Sequence, residues 1–122
     1  MPWTCEAEGF ALANVREDRR RAKSIEKYSI SDQAVYYEGR YLPMSCIRSV
    51  RLQPSVYRPN HSCGRGIPVY KIRLDFGADR PVVLTIEKKQ HAETAAAMIR
   101  KANPDAHFEE CEDRFGEKLR YL

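Results

Sequence analysis

From Ser24 onward the apolar residues recur at every second position, in short segments rich in Val, Ile, Tyr and Leu that are separated by turn-forming residues. The clearest alternation is Tyr70, Ile72, Leu74 and Phe76 on one face of a strand, with Lys71, Arg73 and Asp75 on the other. Gly77 to Arg80 then reads as a hairpin loop, and Pro81 introduces Val82 to Ile86, an apolar run of the length of a buried strand. Earlier in the chain, Ile25 to Ile30 and Ala34 to Glu38 flank a turn at Ser31, Asp32 and Gln33. Gly39 and Arg40 turn the chain again into Tyr41 and Leu42, so two hairpins follow in succession. Pro43 ends that short strand and Met44 to Cys46 form a single irregular turn. Ile47, Val50 and Leu52 then resume an apolar pattern whose uneven spacing calls for a bulge near Ser49.

After the last strand the period lengthens. Ala92, Ala95, Ala96, Ile99 and Ala102 recur at helical spacing, which predicts a helix over 88–102 with a narrow small-residue stripe able to approach a sheet closely. Asn103 and Pro104 stop it. At the other end, Phe10, Leu12, Ala13 and Val15 fit a helical face only loosely, and Gly9 interrupts it. The run from Arg16 to Lys23 has good helix formers and almost no apolar side chain, and it reads as a solvated helix face rather than a nucleic-acid contact.

Size and composition narrow the class. A chain of 122 residues holds one domain with one core. Its 43% hydrophobic content suffices for that core without metals or disulfide staples. No apolar run approaches the roughly 20 residues needed to cross a bilayer. Glu6 and Glu8 stand where a secretion signal would carry basic and then apolar residues, so a cytoplasmic protein is expected. Cys5, Cys46, Cys63 and Cys111 are widely and unequally spaced, which predicts free thiols. His61 and Cys63 form an HxC pair that Cys46 or Cys111 would have to complete into a zinc site; a loop histidine beside a half-buried thiol is the plainer reading, and no cofactor is expected.

The net charge of +4 is modest, but its distribution is uneven. Between Gly39 and Leu74 there is no acidic residue and there are seven basic ones, whereas from Asp105 to Leu122 six acids outnumber three bases, so tail and basic stretch are able to pair. The connection from Pro54 to Ile67 is far longer than a hairpin of about two to five residues. It carries Tyr57, Arg58, His61, Cys63 and Arg65, with Gly64 and Gly66 freeing backbone amides to face an anion. Arg58 and Arg65, extended by Lys71 and Arg73 on the adjoining strand, form a candidate anion site; a solvated loop is the competing reading.

The segment from Tyr28 to Leu52, with Val35, Tyr36, Gly39, Leu42, Pro43, Ile47 and Val50 in place, resembles the pleckstrin-homology-like domains of many uncharacterised bacterial proteins. The resemblance extends loosely to the helix at 88–102 and rests on structural positions only. It implies a mainly β (α+β) fold: an antiparallel barrel or strongly bent sheet closed by a C-terminal amphipathic helix; the residues before it add the option of an extra N-terminal helix. The chain then divides into an N-terminal extension (1–23) open to a helix, the pleckstrin-homology-like domain (24–102) and an acidic tail (103–122), of which only the middle part carries the resemblance. The chain departs from that family in two ways: its first 23 and last 18 residues lie outside the pattern, and five or six strands can be counted before the helix instead of about seven, the missing one having room near Phe10 to Val15.

No phosphate-binding glycine loop, HExxH or GxSxG occurs, and His61, His91 and His107 have no motif setting them against a nucleophile. The expectation is therefore a non-enzymatic interaction module that presents sheet edges and a basic loop to a protein partner or to a second copy of itself. An anionic ligand, lipid headgroup or nucleic acid, bound by Arg58, Arg65, Lys71 and Arg73 is the alternative, and a zinc site at His61 and Cys63 the third.

Overall fold

The computed structural model describes residues 3–58, 66–113 and 115–119. Over these the chain is mainly β, with strands β1 (Thr4–Cys5), β2 (Lys23–Ile25), β3 (Tyr28–Ile30), β4 (Ala34–Tyr37), β5 (Arg40–Pro43), β6 (Ser49–Tyr57), β7 (Ile67–Asp75), β8 (Val82–Ile86) and β9 (His107–Glu109). Helix α1 spans Val15–Arg21 and helix α2 Lys89–Ala102. The first sheet has the order β1-β5-β4-β3-β2 and the second β8-β7-β6-β9. Strands β2 to β5 are one antiparallel meander and β6 to β8 another; β1 and β9 each add a parallel strand at an edge.

Alternation decides which side faces the core. Val50, Leu52, Ile72, Leu74, Leu84 and Ile86 point inward from the second sheet and meet Ile30, Val35 and Leu42 of the first. Each such side chain contributes roughly 1.5–3 kcal/mol by leaving water. Ala92, Ala95, Ala96 and Ile99 of α2 are fully buried in the same core, so the alanine stripe does what its spacing predicts. A type I′-like turn joins β4 to β5, with Glu38 at φ 45° and Gly39 at φ 75°.

Several expectations are corrected. Ile25 to Ile30 is two strands, because Glu26 adopts φ 54° and reverses the chain there. No strand forms at 10–15; the additional ones lie at Thr4–Cys5 and at Lys23–Ile25, the latter beside that turn. The bulge near Ser49 is absent, since β6 pairs with β7 without a break from Ser49 to Tyr57, and the uneven spacing arises because Ile47 closes the short 3-10 turn at Met44–Cys46. Pro54 to Tyr57 and Ile67 belong to the ribbon, so the connection between the strands is only Arg58 to Gly66. Both terminal segments pack onto the fold. The tail strand β9 brings Glu109 within 3.4 Å of Arg51, and further on Asp113 holds Lys89 of α2 at 2.7 Å. Asp113 thereby keeps a cation in place at the positive end of the helix dipole, and Lys89 together with the Glu117 and Phe115 amides holds its carboxyl below the usual range.

The helix from Val15 is not wholly solvated either. Asp18 is 1% exposed and its Oδ2 accepts hydrogen bonds of 2.5 Å from both Ser31 Oγ and Tyr36 Oη. Ser31 Oγ in turn accepts from the Gln33 and Ala34 amides, so one carboxylate ties α1 to the β3–β4 turn. Burial, reinforced by the Asp18 bond, pushes the Tyr36 hydroxyl well above the usual tyrosine range. Trp3 packs edge-on against Tyr36, and Arg19 lies 5.5 Å over the Trp3 ring.

Side chains, not a strand ladder, join the two sheets at β8. The Thr85 amide donates to Tyr28 Oη at 2.8 Å, and the Glu87 and Lys88 amides donate to the two oxygens of Glu26 at 2.8 and 3.1 Å. Among the described residues the pairing runs as two separate sheets. Glu26 also meets His91 Nδ1 at 2.9 Å. Burial alone would raise the Glu26 carboxyl, but the two amides and His91 outweigh it and hold it below the usual range. A depressed folded value stabilises the fold above the carboxylate range, and that contribution is lost as pH falls through the lower folded value. Glu26→Gln is therefore expected to lose about 1 kcal/mol at neutral pH, the scale of a helix cap. Urea denaturation as a function of pH checks it: the deficit should shrink on acidification, and a deficit independent of pH contradicts the assignment.

Candidate functional site

Directly opposed residues of an antiparallel pair share a face, so the β6–β7 register sorts the outer side of the second sheet into rows. Arg51 faces Arg73, Gln53 faces Lys71, Ser55 faces Val69 and Tyr57 faces Ile67. Strand β8 continues two of these rows with Val83 beside Arg73 and Thr85 beside Lys71. Like charges directly opposite each other destabilise a sheet, yet Arg51 and Arg73 are exposed neighbours here. Among the described residues, only Glu109, beside Arg51, answers this group with an ion pair, and both of its side chains are about half exposed, at 51% and 44%.

The ribbon outruns its neighbour. Strand β8 pairs with β7 only from Tyr70 to Leu74, so Ile67–Val69 and the facing end of β6 project beyond it. Gly66 permits the close approach at the ribbon's end, where a Cβ would run into Val56, Arg58 and, at 2.7 Å, the Tyr57 carbonyl oxygen. Beside the projecting end lies a cleft of about 460 Å³, within the roughly 300–1,000 Å³ range of ligand sites. Tyr57, Ile67, Val69, Thr85 and Glu87 form its floor, while Glu26 and Lys27 of the β2–β3 turn and Lys88 and His91 at the start of α2 form its wall. Tyr57 and Ile67 are 54% and 48% exposed, large apolar surface held open by the ribbon.

The chain matches no protein-family model, no curated protein and no solved structure. The chemistry of this face therefore rests on its own residues. Lys71 and Arg73 stand together in adjoining rows, and Arg58 follows Tyr57, exposed, past the end of β6. Arg65, His61 and Cys63 lie outside the described residues. Among the described residues no group of three or more His, Cys, Asp and Glu is placed to hold a metal ion, and Cys5, Cys46 and Cys111 are free thiols. Burial pushes the Cys46 thiol up, away from the thiolate form.

Four positions escaped the sequence reading as site residues: Arg51, Tyr57 as a strand residue, Lys88 and His91. The signal for the first two was available, because Arg51, Gln53, Ser55 and Tyr57 alternate through Pro54 and mark a strand longer than the apolar pattern alone. Nothing local marks Lys88 and His91, whose place in the wall depends on Glu26 receiving the start of α2.

Proposed function

We infer that the chain is a non-enzymatic interaction module of pleckstrin-homology-like type whose outer sheet face receives an acidic segment of a partner protein. The single observation carrying this reading is the row of Arg51 and Arg73 with Lys71 next to it. These cations repel one another, contribute nothing to the core and are answered among the described residues by one half-exposed carboxylate. Their worth to the protein lies in binding: guanidinium forks donate to carboxylates in bidentate fashion. The family type is supported by order and count, since the antiparallel strands β2 to β5 and β6 to β8 are followed at once by one amphipathic helix that buries an alanine stripe. No helix among the described residues is long and apolar enough to cross a membrane, and the reading needs no membrane.

The test is fluorescence anisotropy with a short fluorescein-labelled peptide rich in glutamate and containing one phenylalanine. Lys71→Glu with Arg73→Glu is expected to weaken binding at least about tenfold, and added salt to weaken binding of the wild type. Both positions lie on the solvent side of the sheet, so circular dichroism of the double variant should match wild type. Unchanged affinity after charge reversal, or binding that is stronger for vesicles of anionic phospholipid than for the peptide, overturns the reading.

A further inference from the structure

The cleft and the basic rows are one continuous surface, and its spacing specifies more than charge. The Val69, Lys71 and Arg73 rows follow one another at every second residue of β7; Val69 is itself buried, lining the cleft, while Lys71 is half-buried and Arg73 exposed. At about 3.4 Å per residue, Lys71 stands about 7 Å and Arg73 about 14 Å along the strand from Val69. Side chains of an extended polypeptide on one of its faces repeat at the same interval.

We propose that this face binds an extended peptide that carries a large apolar residue and, at the second and fourth positions along from it, acidic residues. The proposal rests on the acidic-partner reading above. The apolar side chain lies in the cleft at the level of the Val69 row, against the exposed Tyr57 and Ile67; the first carboxylate reaches Lys71 and the second reaches Arg73 and Arg51. Either chain direction gives the same spacing. The intervening side chains point to solvent, so their identity matters little.

Charge complementarity selects this occupant over a nucleic-acid strand. Glu26 and Glu87 lie in the cleft, interleaved with Lys27 and Lys88, and Glu109 lies beside Arg51, so a continuous phosphate backbone meets carboxylates at both ends of the surface. Discrete acidic side chains meet only the cations between them. A single-strand platform also uses several stacking aromatics, whereas Tyr57 is the one Phe, Tyr or Trp among the residues lining the cleft, and the His91 ring there is held by Glu26.

The experiment compares two peptides of identical composition on the full chain by anisotropy. One has phenylalanine followed by glutamates at the second and fourth positions, with glycine between; in the other the same glutamates are adjacent and directly follow the phenylalanine. The spaced peptide is expected to bind at least about tenfold more tightly, and Tyr57→Ala to remove most of that preference by taking away the apolar anchor. Equal affinity for the two isomers overturns the spacing while leaving the acidic-partner reading standing. If neither binds, both readings fall. Displacement of the spaced peptide by oligouridine at equal or lower concentration overturns the choice of a protein partner.

Discussion

Replacing Asp18 with alanine is expected to lower the unfolding free energy by about 2–4 kcal/mol, because it strands two buried hydroxyls at about 1–3 kcal/mol each, an overlap that makes the sum less than additive. The carboxylate is 1% exposed and accepts from Ser31 and Tyr36 at 2.5 Å. Ser31 also organises the β3–β4 turn through the Gln33 and Ala34 amides, and Tyr36 packs between Trp3 and Tyr41. The damage should therefore spread into the first sheet and loosen α1. Urea denaturation measures the loss, and Trp3 fluorescence should shift with it, since its ring packs against Tyr36. Asp18→Asn keeps one acceptor and should lose only about 1 kcal/mol, the scale of a net hydrogen bond. The double variant Asp18→Ala with Tyr36→Phe should be less unstable than the two single losses summed. Strict additivity would show that the carboxylate and the phenol do not act together.

Enlarging Ala96 to leucine is expected to cost about 1–3 kcal/mol, the range for overpacking a filled core. Ala96 is fully buried where α2 lies on the sheets, as are Ala92, Ala95 and Ile99. The added carbons have no space unless the helix lifts, and lifting it pulls the Lys88 and His91 contacts away from Glu26. The same change at Ala102, half-buried at the end of the stripe, should be nearly neutral. Thermal unfolding of the two variants side by side checks the contrast. If Ala96→Leu melts with the wild type, the close approach of α2 to the sheets is not real. Because Lys88 and His91 also wall the cleft, this variant should bind the acidic peptide less well even where it remains folded.

Much of the strand and helix pattern was legible before any coordinates. Tyr70, Ile72 and Leu74 are buried as their alternation predicts, Pro43 ends its strand, and the helix begins one residue later than its spacing implies. Lys71 and Arg73 were legible as cations on the solvent side of that strand. What escaped the reading was every feature that depends on two distant segments at once. Asp18 looks like one more charge in a basic helix, and only the approach of Ser31 and Tyr36 makes it a buried acceptor. Glu26 looks like a residue within a strand, and only the arrival of α2 makes it a cap, across a separation of 61 residues to the Glu87 amide.

The division has a physical basis. Alternation and helical spacing are properties of a short window, because side-chain direction repeats with the local backbone and water sorts the two faces wherever the segment goes. The sequence by itself therefore determined which stretches become strands and helix and which of their sides are wet. Pairing register is different: shifting β6 by one residue against β7 would turn each of its side chains to the other face, and what prevents this is the combined packing of both sheets and α2. That choice, made only in the tertiary structure, sets Arg51 opposite Arg73, opens the cleft beside Tyr57 and gives a scattered set of cations its shape.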